Sequence, residues 1–283
     1  MSVWLPTAPC TPETCLTEAA PVVALPRRIL RLAAFLVVLV TGLALTPSVR
    51  ALPGGPRDAL VRFWARTLLG ALGITVRIAP PPACGGGVLV VANHVSWLDI
   101  PLIAAGRPGR SLAKTEVRHW PVLGPLVAWG GTVFLDRDRL RTLPGTVAAV
   151  TELLRAGRPV VVFPEGSTWC GRESGRFRPA LFEAAVQAGA PVQPVTVRYR
   201  LADGRATSTP AFVGEDGLLA SIARVVSVRG LVAEVTFLPA IPAPAVRTGQ
   251  PADRWQPRRE LARAAQAAVE ATGRRVPGGD CPL

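Results

Sequence analysis

Only two histidines occur in the 283 residues, His94 and His119. His94 lies in the stretch Asn93-His94-Val95-Ser96-Trp97-Leu98-Asp99, directly after the apolar run Val88-Leu89-Val90-Val91-Ala92. An imidazole titrates close to neutral pH and can take a proton there. A carboxylate that accepts from one ring nitrogen fixes the tautomer and leaves the other nitrogen free as a base. General-base catalysis of this kind contributes roughly 10²- to 10⁴-fold. Pro101 is tolerated only in the first turn of a helix, so a helix starting near Asp99 turns the chain and brings the carboxylate back toward His94. A plainer alternative stands beside this: Asp99 as an N-cap and His94 as a satisfied loop histidine.

Two more polar clusters follow apolar runs. Asp136-Arg137 comes after Thr132-Val133-Phe134-Leu135, and Glu165-Gly166-Ser167 comes after Val160-Val161-Val162-Phe163-Pro164. Open α/β sheets bind ligands outside the carboxyl ends of their strands. Arg137 is placed to hold a phosphate, or else to pair with Asp136 or Asp138. Glu165 is placed to meet a hydroxyl or a head group, or else to be a solvated turn carboxylate.

The elements needed to bring these clusters together are legible as an alternation. Residues 74–79, 88–92, 110–116, 132–137, 159–163, 192–200 and 234–240 read as strands by their β-branched and apolar content. Residues 100–106, 145–159, 178–191 and 254–275 read as helices, several closed by Gly or Pro. Such alternation predicts an α/β fold with a mostly parallel central sheet flanked by helices. Before it, residues 32–49 carry no charge, at the short limit for a membrane-spanning helix, with Pro47 and Gly42 inside. Arginines flank both ends, which suits a helix that dips in and returns as well as one that spans. Residues 56–73 place Leu60, Trp64, Leu68 and Leu72 on one face and Arg62 and Arg66 on another, as an interfacial or a core helix does. The chain divides into a mobile tail (1–28), a membrane-associated helical segment (29–73), the α/β domain (74–242) and a C-terminal helix and tail (243–283).

The net charge is +13, and Lys114 is the sole lysine. This favours anionic partners, a membrane surface among them. The basic residues are scattered and form no block interleaved with aromatics, which argues against nucleic acid. The five cysteines are Cys10, Cys15, Cys84, Cys170 and Cys281. They include no Cys-x-x-Cys pair, so their spacing supports neither a metal site nor a disulfide framework, and each reads as structural. His119 brings no carboxylate cluster with it, which disfavours a metal-dependent hydrolase.

Together, these clusters resemble the glycerolipid acyltransferase family, of the type that acylates 1-acyl-glycerol-3-phosphate. The resemblance rests on Asn93-His94 with Asp99, on Gly-Gly-Thr-Val-Phe-Leu-Asp-Arg ending at Arg137, on Phe163-Pro164-Glu165-Gly166, and on a strand bearing Pro194. Their order and spacing match over about residues 85–200. The resemblance implies His94 as the general base and Asp99 as its orienting carboxylate. Asn93, Arg137, Glu165, Gly166 and Ser167 would bind the substrate. It implies no metal and no cofactor, with acyl-coenzyme A or acyl carrier protein as the acyl donor and a lysophospholipid as acceptor. The apolar segment 120–131 would line an acyl site. Localisation follows as the cell membrane, with the active site on its cytoplasmic face. One departure stands out: the family continues Thr-Arg-Ser after Phe-Pro-Glu-Gly, and here Thr168 stands where that arginine would be. A lyso-ornithine lipid or another lyso-lipid as acceptor fits this departure. A reading from another class is a membrane-anchored protein that binds anionic lipid without catalysis.

Overall fold

A computed structural model describes residues 8–82, 86–114, 132–135, 140–244 and 256–273. Seven strands form one sheet: β1 (Thr75–Ile78), β2 (Leu89–Ala92), β3 (Arg110–Lys114), β4 (Val133–Leu135), β5 (Val160–Val162), β6 (Val192–Leu201) and β7 (Leu231–Phe237). Their order across the sheet is β1-β7-β6-β2-β5-β3-β4. Every pairing is parallel except β6 with β7, so the mostly parallel sheet read from the sequence is present. The carboxyl ends of β2, β5 and β6 lie side by side on one edge.

Strand β2 is buried along its whole length, as a central parallel strand must be. Its side chains alternate between two cores. Val90 and Ala92 join Leu68, Leu69, Leu98, Leu102, Ile103 and Val225, while Leu89 and Val91 join Val150, Val160, Val162, Phe182 and Ala265. The first core is covered by helices α2 (Leu25–Ala51), α3 (Gly54–Ala71), α4 (Asp99–Gly106) and α7 (Leu218–Ser227). The second is covered by α5 (Leu143–Arg155), α6 (Phe182–Ala188) and α8 (Gln256–Gly273). Gly189, in the left-handed conformation at φ 63°, ends α6 as the sequence leads one to expect.

Helices α2 and α3 form an antiparallel hairpin. The indole of Trp64 donates to the carbonyl of Val38 at 3.0 Å, and any side chain at Gly42 would overlap that indole. Both ends of the hairpin are fixed to the same body. Arg31 on α2 donates to the carbonyls of Val226 (2.9 Å) and Val228 (2.7 Å) at the end of α7. Arg66 on α3 donates to the carbonyl of Ala105 at the end of α4, at 3.2 Å. A cation is favourable at each of these helix C-termini, where carbonyls are left without partners. Much of the hairpin's outer face is apolar: Ile29, Leu36, Val37, Val40, Leu45 and Phe63 are all exposed. At 27 residues, α2 is the one described helix long and apolar enough to cross a bilayer.

Two expectations give way. Residues 8–28 are not a mobile tail. Thr11 and Thr14 form a capping box that starts α1 (Pro12–Cys15), Cys10, Cys15 and Val23 are buried, and Val23 donates to the carbonyl of Ser227 at 2.8 Å. The segment docks through backbone bonds and single side chains, which leave no periodicity to read. Helix α7 was not foreseen, and β7 reverses direction against β6, which carries β1 with it. Arg31→Met should lower the thermal midpoint by about 4–8 °C, since charged hydrogen bonds to two buried carbonyls together contribute about 2 kcal/mol. Thermal unfolding of the full chain in detergent measures this.

Candidate active site

Asn93 and His94 follow β2 directly, and the chain turns back on itself through Ser96 into α4. Asp99 is the first residue of that helix, as Pro101 requires, and it is fully buried. An ionised carboxylate without exposed surface needs a donor for each lone pair. Asp99 has four. Its Oδ2 accepts from His94 Nδ1 at 2.8 Å, from the Val95 amide at 2.7 Å and from the Ser96 amide at 2.9 Å. Its Oδ1 accepts from the Tyr199 hydroxyl at 2.6 Å. Burial, reinforced by the Asp99 charge, pushes the Tyr199 phenol well above its ordinary range, so it acts as a donor.

The bond to Asp99 assigns the proton of the neutral imidazole to Nδ1 and leaves Nε2 as the acceptor. The ring is stacked on Phe163 with centroids 3.9 Å apart and planes 15° from parallel. Its side chain keeps 18% of its surface open, whereas Asp99 keeps none. The His94 backbone is held from both sides by the loop after β5: its amide donates to Glu165 Oε2 at 2.8 Å, and its carbonyl accepts from the Trp169 amide at 2.7 Å. An oriented base with one free nitrogen at a strand-end edge can take a proton from a hydroxyl and return it to a leaving group.

The other residues singled out by the sequence fall into different places. Asn93 pairs with β6 as a strand residue does: its Nδ2 donates to the Val197 carbonyl at 3.0 Å and its Oδ1 accepts from the Val197 amide at 2.8 Å. Glu165 turns inward rather than toward a ligand. Oε2 accepts from His94 and Oε1 accepts from the Gly175 amide at 3.1 Å, which makes Glu165 a strap beneath His94. Gly166 takes φ 78° in the turn after Pro164, and its amide donates to Phe163 at 3.1 Å. Ser167 follows in the same turn, half-buried. Thr168, standing in for an arginine, donates to the Phe212 carbonyl. Arg137 and the apolar segment 120–131 lie outside the described residues.

Tyr199 is the residue the sequence reading passed over. It is the only tyrosine in the chain, on a largely buried strand. A buried phenol must find a partner for its hydroxyl, which is the signal that could have revealed it.

Burial pushes the Glu165 carboxyl up to about 8, against the two backbone amides and with the Asp99 charge adding to the rise. Its folded value lies above its unfolded one, so folding is most favoured below about 4.5 and loses stability as pH climbs toward about 8. Glu165→Gln should remove that slope. Denaturant unfolding at pH 5 and pH 8 checks this: the wild type should lose more stability between the two than the variant does.

The chain's similarities fall on the same architecture. Residues 74–198 match the family model described as acyltransferase. The chain is 38% identical over 216 residues to the 1-acyl-sn-glycerol-3-phosphate acyltransferase of Neisseria meningitidis, covering 75% of this chain and 82% of that one. It is 40% identical over 242 residues to the lyso-ornithine lipid O-acyltransferase of Pseudomonas aeruginosa, covering 83% and 88%. In fold it is similar to the crystal structure of the 1-acyl-sn-glycerophosphate acyltransferase PlsC from Thermotoga maritima, with a TM-score of 0.61 at 18% identity over 89% of this chain and 100% of that one. Identity at this level over most of both chains, with the histidine and its carboxylate inside the matched region, places the chain in the acyltransferase family, and it is an enzyme of that class.

Proposed function

We propose that this acyltransferase moves a fatty acyl group from a thioester, of coenzyme A or acyl carrier protein, to the free hydroxyl of a lysophospholipid. The first-choice acceptor is 1-acyl-glycerol-3-phosphate, which gives phosphatidic acid. The observation that carries the reading is the 2.8 Å bond from His94 Nδ1 to a buried Asp99, with Nε2 left for the substrate. Nε2 takes the proton of the acceptor hydroxyl. The oxygen attacks the thioester carbonyl, the C–S bond breaks, and the proton passes from Nε2 to the departing thiolate. The imidazolium formed on the way is paired with Asp99. No covalent acyl-enzyme is required, and no Gly-x-Ser-x-Gly motif occurs in the chain.

A lyso-ornithine lipid is the second reading, favoured by Thr168. The side chain there is directed to Phe212, and Arg172 is paired with Glu18 at 2.6 Å, so neither supplies the phosphate contact expected of an arginine at position 168. Arg176 and Arg178 are exposed in the same loop and could serve a phosphate instead.

The exposed apolar hairpin would seat the enzyme on the bilayer. Because both its ends pack on one body, the hairpin would enter and leave the membrane on the same side. That side would be the cytoplasmic one, where acyl donors are available, and the charge of +13 suits an anionic leaflet.

The test uses membranes bearing the wild type or His94→Ala, labelled acyl-coenzyme A, and either lysophosphatidate or lyso-ornithine lipid. Diacyl product is followed by mass spectrometry. Product should form with the wild type and fall at least 10²-fold in the variant. Equal product from both would remove His94 as the base, and the acceptor that is consumed names the head group. Tyr199→Phe acts through Asp99. It should lower kcat about tenfold while leaving KM for the donor nearly unchanged, the loss of one hydrogen bond to a charged group. Steady-state kinetics at varied donor concentration separates the two parameters.

A further inference from the structure

Three cysteines from two remote segments of the chain converge in the fold. Cys10 precedes α1, Cys15 ends it, and Cys170 follows Trp169 in the loop after β5. Their sulfurs all lie within 4.8 Å of one another, and each side chain is at most 5% exposed. Thr14 Oγ1 lies 3.5 Å from the Cys15 sulfur, and the Ser208 hydroxyl donates to the Cys15 carbonyl at 2.5 Å, so the backbone that presents the thiols is itself fixed.

Ordinary packing does not call for this arrangement. A buried cysteine behaves as a small hydrophobe, and three of them need not turn their sulfurs to a common point. A disulfide would use two and leave the third idle. One metal ion uses all three. A zinc–sulfur bond of about 2.3 Å sets tetrahedral thiolate sulfurs about 3.8 Å apart, so a triangle with sides no longer than 4.8 Å closes on zinc with a contraction of about 1 Å at most. Thiolates are soft ligands and select zinc over magnesium or calcium.

We propose that Cys10, Cys15 and Cys170 form a zinc site that holds the ion through three thiolates. Each thiol gives up its proton as the ion binds. The site ties residues 8–23 to the loop that holds His94, because Cys170 adjoins Trp169, whose amide donates to the His94 carbonyl. The Arg172–Glu18 ion pair makes a second bridge between the same two segments. Cys10 and Cys15 are separated by four residues, a spacing that suits two ligands of one ion, and the fold brings Cys170 to them.

The test uses the full chain in detergent, purified under reducing conditions, loaded with Zn²⁺ and desalted. Elemental analysis should find about one zinc per chain. The content should fall at least tenfold in a variant carrying Cys10→Ser, Cys15→Ser and Cys170→Ser. Cobalt(II) added to the metal-free wild type should give a thiolate-to-cobalt charge-transfer band and the intense visible bands of tetrahedral coordination. That spectrum reads the native chain and does not depend on the variant folding. A reduced wild type that retains less than a tenth of an equivalent and shows no cobalt–thiolate band would overturn the site. So would a folded triple variant that keeps its zinc. A disulfide between Cys170 and either partner, with no metal uptake after reduction, would also overturn it.

Discussion

A carboxylate with no exposed surface stands at the meeting point of this fold. Taking such a charge out of water costs several kcal/mol unless its lone pairs are met. Asp99 meets them with an imidazole, two backbone amides of its own turn and a phenol from β6, and it begins a helix whose positive end favours an anion. Each donor fixes a different piece of chain. The two amides set the shape of the turn after β2, His94 is drawn to one tautomer and one orientation, and Tyr199 ties β6 to the first turn of α4. Once Asp99 is buried, little freedom remains for the base.

The second carboxylate completes the arrangement from the other side. Glu165 comes from β5, the neighbour of β2 opposite β6, and receives the amide of His94 itself. Its charge would oppose that of Asp99, and burial already favours the neutral acid. Held by two backbone amides, Glu165 anchors the main chain beneath His94. The two groups thus divide their work: one orients the ring, the other holds the main chain.

The sequence made the pairing of His94 with Asp99 legible because its message is local. Five residues of separation and a proline two beyond Asp99 are enough to specify a turn into a helix. Asn93 and Glu165 were visible as polar residues at strand ends, but whether such a side chain faces a ligand or a backbone amide depends on the neighbouring strand, which is remote in sequence. Tyr199 was hidden for the same reason: its partner lies 100 residues away. The reversal of β7 left no mark, since short apolar strands look alike whichever way they run. The N-terminal segment escapes a reading by composition, which reports only the absence of a periodic face, because it is held by a few buried side chains and bonds to α7.

The hairpin is more than an anchor attached to a finished domain. Phe35 of α2 lies against Trp97 with ring centroids 6.2 Å apart, and Trp97 sits in the turn between His94 and Asp99. The indole of Trp97 in turn donates to Ser221 of α7 at 3.1 Å, on the helix whose end is capped by Arg31 of α2. The helix with the broadest exposed apolar face therefore contributes directly to the packing of the turn that carries His94 and Asp99. Seated on a bilayer, the hairpin would hold His94 at a fixed distance from the layer in which a lyso-lipid acceptor resides, and the acceptor would need to move only along the membrane to reach it.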